Sequence, residues 1–171
     1  MTVLEIKLIS DPVLRKKAEP VKVVTNDIIS VLNDMAETMY DAPGIGLAAN
    51  QVGVLKRLIV MDCSTDDEDP NLIKMINPEI IFSSTEISEL EEGCLSIPEH
   101  KSIVKRPSNI KVKFFNIEGL EEIIDAEGLL SACIQHEIDH LDGVLFVDHI
   151  SRLKRDIILR KVKKQIRENE K

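Results

Sequence analysis

Aromatic residues and long apolar runs are what this sequence has least of. Its 171 residues contain no tryptophan, and aromatic residues make up 3% of them, so aliphatic side chains must fill the core. No apolar run approaches the roughly 20 residues that a membrane-spanning helix requires, and residues 1–7 alternate charged with apolar side chains. We therefore expect no signal peptide, no membrane partner and a cytoplasmic location.

Cysteine is scarce as well. The three cysteines, Cys63, Cys94 and Cys133, are an odd number and lack the spacing of a disulfide framework. In a reducing compartment such residues are thiols, buried hydrophobic residues or metal ligands. The chain length and the ordinary hydrophobic fraction of 43% predict one globular domain.

Positive charge is concentrated at one end of the chain. Residues 151–171 carry nine Lys and Arg against three acidic residues, a net charge of +6. Because the whole chain has a net charge of −8, residues 1–150 carry −14. Apolar residues recur at helical spacing from Ser151, which predicts a basic amphipathic helix. The asymmetry indicates a binding partner for this helix, and the alternative is a solvated basic face.

Periodicity predicts three helices around a β-rich middle section. The helices are predicted at Asn26–Tyr40, from Gly128 to about Leu141, and from Ser151 onward. Residues 44–49 are predicted to form a loop, and Asn77-Pro78 a turn. Strands are predicted at Leu58–Met61, Leu72–Ile76, Ile103–Lys105, Ile110–Phe115 and Ile123–Ile124. The predicted fold is α+β, with helices enclosing an antiparallel or mixed sheet.

The sequence His136-Glu137-Ile138-Asp139-His140 has the spacing of a metal site. Two histidines four residues apart on a helix lie nearly above one another, so both imidazoles can bind one metal. Glu137 points about 100° away from His136 around the helix axis. From there its carboxylate can take a proton from a metal-activated water. The competing interpretation is a buried helix in which this short pattern arises by chance or serves a structural site.

A catalytic metal of this kind needs a third protein ligand. His149, nine residues beyond His140, is one candidate, because HExxH hydrolases commonly take a ligand from the segment after the helix. Cys94 is the other, and Gly93 before it allows close approach of the backbone. A lone cysteine is more often a small buried hydrophobic residue. The residues alone therefore leave the third ligand open.

The segment Gly44–Gln51 superficially resembles a phosphate-binding loop. It lacks the third glycine of a dinucleotide fingerprint and the Gly-Lys-Ser/Thr of a P-loop, and it follows a helix rather than a strand. These differences argue against nucleotide binding. Two interpretations remain: a tight glycine loop that delivers the Gln51 amide into a site, or a helix C-cap followed by the start of another helix.

Taken together, three segments resemble the signature motifs of the peptide deformylase family. The motifs GxGxAAxQ, EGCLS and QHExDHLxG correspond to Gly44–Gln51, Glu92–Ser96 and Gln135–Gly143, in the family's order. The resemblance extends to Asp11–Arg15 and to the basic terminal helix, so it covers essentially the whole chain. It implies a deformylase-like α+β fold in which β-sheets enclose the HExxH helix and a C-terminal helix follows.

The resemblance also implies an activity and a ligand set. The activity is removal of the N-formyl group from the formyl-methionine of nascent polypeptides, with release of formate. The metal ligands would be Cys94, His136 and His140, and Glu137 would act as general base and acid. The family implies Fe²⁺ as the native ion of many bacterial members, with Zn²⁺ frequently found after purification. Zinc should outcompete ferrous iron at a simple site of nitrogen and sulfur ligands, so selection depends on availability.

The resemblance places the substrate along the two other motifs. The Gln51 amide and the Leu95 backbone N–H would donate to the formyl oxygen as negative charge develops there, and the peptide would lie as an added strand along Ile45–Gly46 and Gly93. The apolar pocket for methionine would be lined by Ile45, Leu90, Leu129, Ala132, Cys133 and the flank of His136. Two positions depart from common family forms, Lys101 in place of Arg and Ala132 in place of Ile.

The terminal helix is assigned a partner on the same basis. We expect residues 1–150 to form the catalytic deformylase domain, and residues 151–171 a basic helix within that domain. A nascent substrate is attached to a ribosome, so the helix would contact ribosomal RNA in a salt-dependent manner, and no DNA partner is expected. Removal of residues after Ile158 should then weaken ribosome binding and leave hydrolysis of free peptides nearly intact.

Two alternative functions are consistent with parts of the sequence. An HExxH zinc endopeptidase would need a long open cleft and a third ligand after the helix, for which the Gly-Cys-Leu motif offers no explanation. A non-catalytic, ribosome-associated module would hold a structural metal in a closed site of four ligands, to which His149 could contribute. An open coordination position would favour an enzyme.

Overall fold

Seven strands and three α-helices make up the protein. The computed structural model describes residues 1–171. The strands are β1 (Gly46–Ala48), β2 (Leu58–Met61), β3 (Ile73–Ser83), β4 (Ile87–Cys94), β5 (Ile97–Pro107), β6 (Asn109–Phe115) and β7 (Glu121–Glu127). The helices are α1 (Asn26–Asp41), α2 (Gly128–Leu141) and α3 (Arg152–Asn169). None of the helices is both long and apolar enough to cross a membrane.

Two antiparallel sheets surround α2. One has the strand order β1-β2-β3-β6-β7, and the other is the hairpin of β4 and β5. All of these strand pairs are antiparallel. Helix α2 contacts strands of both sheets, including β1, β2, β7 and β5. The predicted α+β fold, with the HExxH helix enclosed by sheets and a C-terminal helix after it, is confirmed.

Strand β2 explains how the large sheet holds a helix on each face. Its four residues are all buried, and alternate side chains point to opposite faces of a strand. Leu58 and Val60 pack in a cluster with Leu32, Met35 and Met39 of α1. Ile59 and Met61 pack in a cluster with the α2 residues Cys133, Ile134, Ile138 and Leu141. Aliphatic and methionine side chains therefore fill both layers, as expected for a chain with so few aromatic residues.

A third cluster attaches α3 to the small sheet. Ile158 and Val162 of α3 pack with Ile97 and Val104 of β5 and with Phe146. Cys94, at the end of β4, packs against this cluster. The apolar stripe of α3 therefore supports the hairpin that carries Cys94.

The helix boundaries follow from local chemistry. The Thr25 side chain accepts a hydrogen bond from the Ile28 N–H and caps α1, and Ser151 caps α3 in the same way through Lys154. After α2 the chain turns at Gly143, where φ is +76° and a Cβ would lie 2.6 Å from the Arg15 carbonyl oxygen. Only glycine fits that turn.

Three local predictions were wrong. Residues 46–48, expected in a loop, form strand β1 because they pair with β2. Asn77-Pro78, expected to be a turn, lies inside β3 at a register shift between Ile76 and Glu79, where the bulge accommodates Asn77 at a φ of +52°. Strand β4 was missed because it is rich in acidic residues, and its stability comes from pairing with β5 over most of its length.

Candidate metal centre and substrate cavity

The structure brings Cys94, His136 and His140 together. Their candidate ligand atoms all lie within 4.8 Å of one another, and the Cys94 Sγ is 3.3 Å from the His140 Nε2. The two histidines lie one turn apart on α2, with ring centroids separated by 5.0 Å. A register shift in the hairpin between Gly93 and Cys94 lies at the point where the cysteine meets the helix, as bulges beside functional sites commonly do.

Glu92 fixes the ring of His136. Its Oε1 accepts a hydrogen bond from the His136 Nδ1 at 2.8 Å, and Arg106 donates to both of its carboxylate oxygens at 2.7 and 3.0 Å. Burial alone would raise the pKa of the Glu92 carboxyl, but its contacts with His136 and Arg106 lower that pKa to about 2. An ionised carboxylate can only accept, so the proton lies on Nδ1 and the His136 Nε2 is free to bind a metal.

His149 lies outside this group. Its Nε2 is 2.8 Å from the Asp139 Oδ2, and neither residue lines the cavity that Cys94 lines. The structure therefore offers three converging ligands rather than four, and the interpretation that used His149 as a metal ligand has no support. One thiol and two imidazoles, largely shielded from solvent, are a donor set suited to Fe²⁺ or Zn²⁺. The residues present fit one divalent ion.

Glu137 lies beside these ligands as a buried carboxyl group. Its Oε2 has no hydrogen-bond partner, and a Cβ at Gly46 would lie 2.7 Å from its Oε1, so glycine is needed there for the close approach. Burial is the main cause that raises the pKa of the Glu137 carboxyl to about 7, while the charge of His136 lowers this pKa and that of Glu92 raises it. A nearby cation would favour the ionised form.

The Gln51 amide is held in one orientation. Its Oε1 accepts the Ala48 N–H at 3.0 Å, and its Nε2 lies 3.1 Å from the Ser96 Oγ and 3.5 Å from the Cys94 Sγ. The amide nitrogen therefore points toward the cysteine. Leu95 follows Cys94, and its side chain covers Gly44, where a Cβ would lie 2.7 Å from the Leu95 Cδ1.

A cavity of about 520 Å³ opens in front of Glu137. The predicted site residues that line it are Ile45, Gly46, Gln51, Leu90, Gly93, Cys94, Leu95, Leu129, Ala132, Cys133, His136 and Glu137. His140, the remaining predicted residue, is buried and does not line the cavity. The lining also includes Glu99, His100 and Lys101.

Sequence reasoning missed two residues of this site. Glu92 belongs to a motif that was identified, but its role was not. Its role could have been predicted, because a metal-binding histidine usually donates its second N–H to an acceptor such as a carboxylate, and Glu92 lies in the same motif as Cys94. Arg106, whose side chain is 6% exposed, was missed entirely. Its sequence position directly after the predicted strand Ile103–Lys105 gave no indication that it would lie in the interior.

The fold and the site define a class of protein. A cysteine and two histidines around one point, a buried glutamate beside them and a cavity in front are the parts of a hydrolase that uses one metal ion.

Comparisons with known proteins give the family. Residues 3–156 match the family model described as polypeptide deformylase. The chain is 51% identical to a peptide deformylase of Rhizobium meliloti, covering 96% of this chain and 94% of that one. It is 47% identical to one of Agrobacterium fabrum, covering 98% of each. The chain therefore belongs to the polypeptide deformylase family, and it is an enzyme that removes the formyl group from nascent polypeptides.

Solved structures agree with this assignment. The crystal structure of a peptide deformylase from Ehrlichia chaffeensis superimposes with a TM-score of 0.95 at 40% identity, covering 99% of this chain and 100% of that one. The same enzyme in complex with actinonin gives a TM-score of 0.92 at 42% identity, covering 96% and 98%. The family resemblance seen in the three motifs is confirmed along nearly the whole chain.

Proposed function

We propose that Cys94, His136 and His140 hold one divalent metal ion, and that Glu137 is the general base and acid of the deformylation reaction. The observation that supports this most is the convergence of the three ligand atoms, together with Glu137, which lines the same cavity as Cys94 and His136 and has a carboxylate oxygen with no partner. A divalent ion bound there would supply Lewis acidity, lowering the pKa of a water and polarising the formyl oxygen.

Glu137 is suited to moving a proton twice. A pKa near neutrality lets the carboxylate take a proton from water and return it to the leaving amine in the same turnover. Glu137 is 4% exposed, lies against Gly46 and lines the cavity. The products are formate and the free amino terminus of the polypeptide.

Gln51 and Leu95 are proposed to stabilise the negative charge that develops on the formyl oxygen. The Gln51 amide oxygen accepts from Ala48 and one of its N–H groups donates to the Ser96 Oγ. Its second N–H is left to donate toward the Cys94 side of the cavity. Leu95 is the residue after Cys94, so its backbone N–H lies next to the cysteine. Donors fixed before the reaction need no reorganisation when the charge appears.

The substrate peptide is proposed to add a strand between the two sheets. Strand β1 is an edge of the large sheet, and β4 is one strand of the two-stranded sheet. Residues of both line the cavity, namely Gly46 of β1 and Gly93 of β4. The methionine side chain would enter the apolar wall formed by Leu129, Ala132 and Cys133, where a flexible unbranched chain packs well.

The metal, the cellular location and the second partner are proposed from the resemblance together with charge. We infer Fe²⁺ as the native ion, with Zn²⁺ able to replace it, and a cytoplasmic enzyme. Residues 1–150 would carry the catalysis, while α3 would dock the enzyme on ribosomal RNA. Eight of the nine basic residues from 151 to 171 are exposed, so the charge is available to a phosphate backbone.

The test compares Glu137→Ala with the unchanged enzyme, purified anaerobically, by formate release from formyl-Met-Ala and by metal analysis. Loss of a general base should lower turnover by about 10²–10⁴ and leave one metal ion per chain. Glu127→Ala removes an exposed acidic residue at the start of the same helix and should change neither quantity. Retention of most activity by Glu137→Ala would require another base.

A further inference from the structure

Arg106 is a buried arginine that joins three elements around the metal centre. It lies on β5, its side chain is 6% exposed, and its donors contact Glu92 of β4 and Asp139 of α2. The Nε and Nη2 atoms form a two-pronged contact with Glu92 at 2.7 and 3.0 Å, and Nη1 donates to the Asp139 Oδ2 at 2.8 Å. Buried charges of this kind are stable only when they are fully paired.

The contact with Glu92 leads directly to a ligand. The Glu92 oxygen Oε1 accepts from Arg106 on one side and from the His136 Nδ1 at 2.8 Å on the other. A guanidinium that grips both oxygens fixes the plane of the carboxylate, which a single donor cannot do. The plane of the carboxylate in turn sets the direction in which the imidazole ring points.

The second carboxylate that Arg106 contacts, that of Asp139, also has two partners. The Asp139 Oδ2 accepts from Arg106 at 2.8 Å and lies 2.8 Å from the His149 Nε2. Asp139 precedes the ligand His140 in α2, so this contact fastens the helix to β5 near the second histidine. Arg106 therefore connects to the surroundings of both histidines without touching either one.

We propose that Arg106 is a positioning residue of the metal centre, which holds His136 in its metal-binding orientation by fixing the Glu92 carboxylate. The inference rests on the proposed function, since it takes His136 to be a metal ligand. Arg106 does not line the cavity that contains Glu137, so it has no contact with substrate to contribute. Its effect should therefore be on metal retention first and on turnover only as a consequence.

The test is a double-mutant cycle read out on the metal. Wild type, Arg106→Met, Glu92→Ala and the double variant are loaded with Zn²⁺, and the rate of metal loss to a chelator is measured. Losing the support of a ligand histidine typically costs about 10–100-fold in metal affinity, so either single variant should lose zinc about 10–100-fold faster. Because Arg106 is inferred to act through Glu92, adding Arg106→Met to Glu92→Ala should increase the rate of zinc loss little further.

Arg57→Met is the matched control. Arg57 is also mostly buried, with 14% of its side chain exposed, and it donates to Leu141 and Asp142 at the end of α2 without contacting a residue bound to a ligand. It should lower the melting temperature and leave the rate of zinc loss unchanged. The visible spectrum of the Co²⁺-loaded protein should likewise change for Arg106→Met and not for Arg57→Met.

Each outcome decides the inference. The inference would be overturned if Arg106→Met lost zinc at the same rate as wild type. It would also be overturned if Arg106→Met increased the rate of zinc loss by the same factor in the Glu92→Ala background as in the wild-type background. If Arg106→Met does not fold, Arg106→Lys keeps the charge but lacks the two-pronged contact, and the same cycle applies to it. Failure of wild type itself to bind zinc would instead contradict the proposed function, so the two failures are distinguishable.

Discussion

Helices α2 and α3 differ in where their polar residues lie: in α2 many are buried, and in α3 none is. Ten of the 14 residues of α2 are buried, among them two histidines, a glutamate and a glutamine. Only two of the 18 residues of α3 are buried, and both are apolar. Polar groups in the interior must be paired or must serve a site, whereas charges on a surface helix are free to meet a partner. This difference agrees with the proposals that place the chemistry around α2 and the binding of a partner on the surface of α3.

After that of Glu137→Ala, the largest expected effect is that of a change at the buried residue Gln51. Gln51→Leu keeps the volume of the side chain and removes the amide that faces Cys94. Loss of one donor to a developing oxyanion typically costs about 10²–10³ in turnover, so kcat for formyl-Met-Ala should fall by that factor while zinc content stays the same. A variant with nearly normal kcat would exclude Gln51 from the stabilisation of charge.

The pH dependence of the reaction tests Glu137 as the general base. A general base must be ionised, so kcat/KM should fall about tenfold per pH unit as the pH drops through the pKa of Glu137. That pKa is raised by burial to about 7, and a bound cation favours the carboxylate. We therefore expect the acidic limb of the pH–rate profile to lie at or below pH 7. A limb above that value, or none down to pH 4, would point to a different group.

The third prediction concerns the surface of α3. Lys161→Glu, Lys164→Glu and Arg167→Glu together reverse one face of the helix, and Lys16→Glu, Lys17→Glu and Lys56→Glu change the net charge equally at another exposed place. If α3 meets phosphates, the first variant should weaken ribosome co-sedimentation and lower the dependence of log K on log salt by about three.

Hydrolysis of a free formyl-peptide should be unchanged in both of these triple variants. Equal ribosome binding by the two would mean that the basic face of α3 is only solvated.

Charge reversal is a better test than truncation of α3. Deleting residues after Ile158 would remove Val162, which is fully buried and packs against β5. It would also remove Gln165, whose amide donates at 2.6 Å to Glu99, a residue that lines the cavity. The truncation that the sequence suggested would therefore disturb the hairpin that carries Cys94. The expectation that it leaves hydrolysis nearly intact is not supported by this packing.

The smallest expected effect is on selectivity. Leu129 lines the cavity, but 49% of it is exposed, so Leu129→Ala widens a wall that is already open. Discrimination by a hydrophobic pocket is worth about 1–3 kcal/mol per methylene, and we expect the lower end, a drop of about tenfold in preference for formyl-Met over formyl-Ala peptides. Unchanged preference in a competition assay would remove Leu129 from the pocket.

The features that could be predicted from the sequence are those determined by residues close to one another in the chain. The bounds of α2 and the one-turn spacing of His136 and His140 follow from helical periodicity, and Gly143 marks the stop. Strand β4 pairs with the strand that directly follows it, but its acidic residues are not typical of a strand. The bulge at Asn77 depends on pairing with β6, which lies far away in the chain, and local patterns do not encode such pairing. Arg106 belongs to the same class, because its importance comes from two carboxylates on other elements. Buried polar residues whose partners are distant are what sequence reading misses here.

The central claim is that Cys94, His136 and His140 bind one metal ion beside Glu137. The most direct measurement is a crystal structure of the zinc-loaded protein, with anomalous data collected at the zinc absorption edge. We expect a single peak bonded to the Cys94 sulfur at about 2.3 Å and to one nitrogen of each histidine at about 2.0–2.1 Å, with the remaining position open to solvent. A peak elsewhere, or a Cys94 sulfur several ångströms from the ion, would contradict the account.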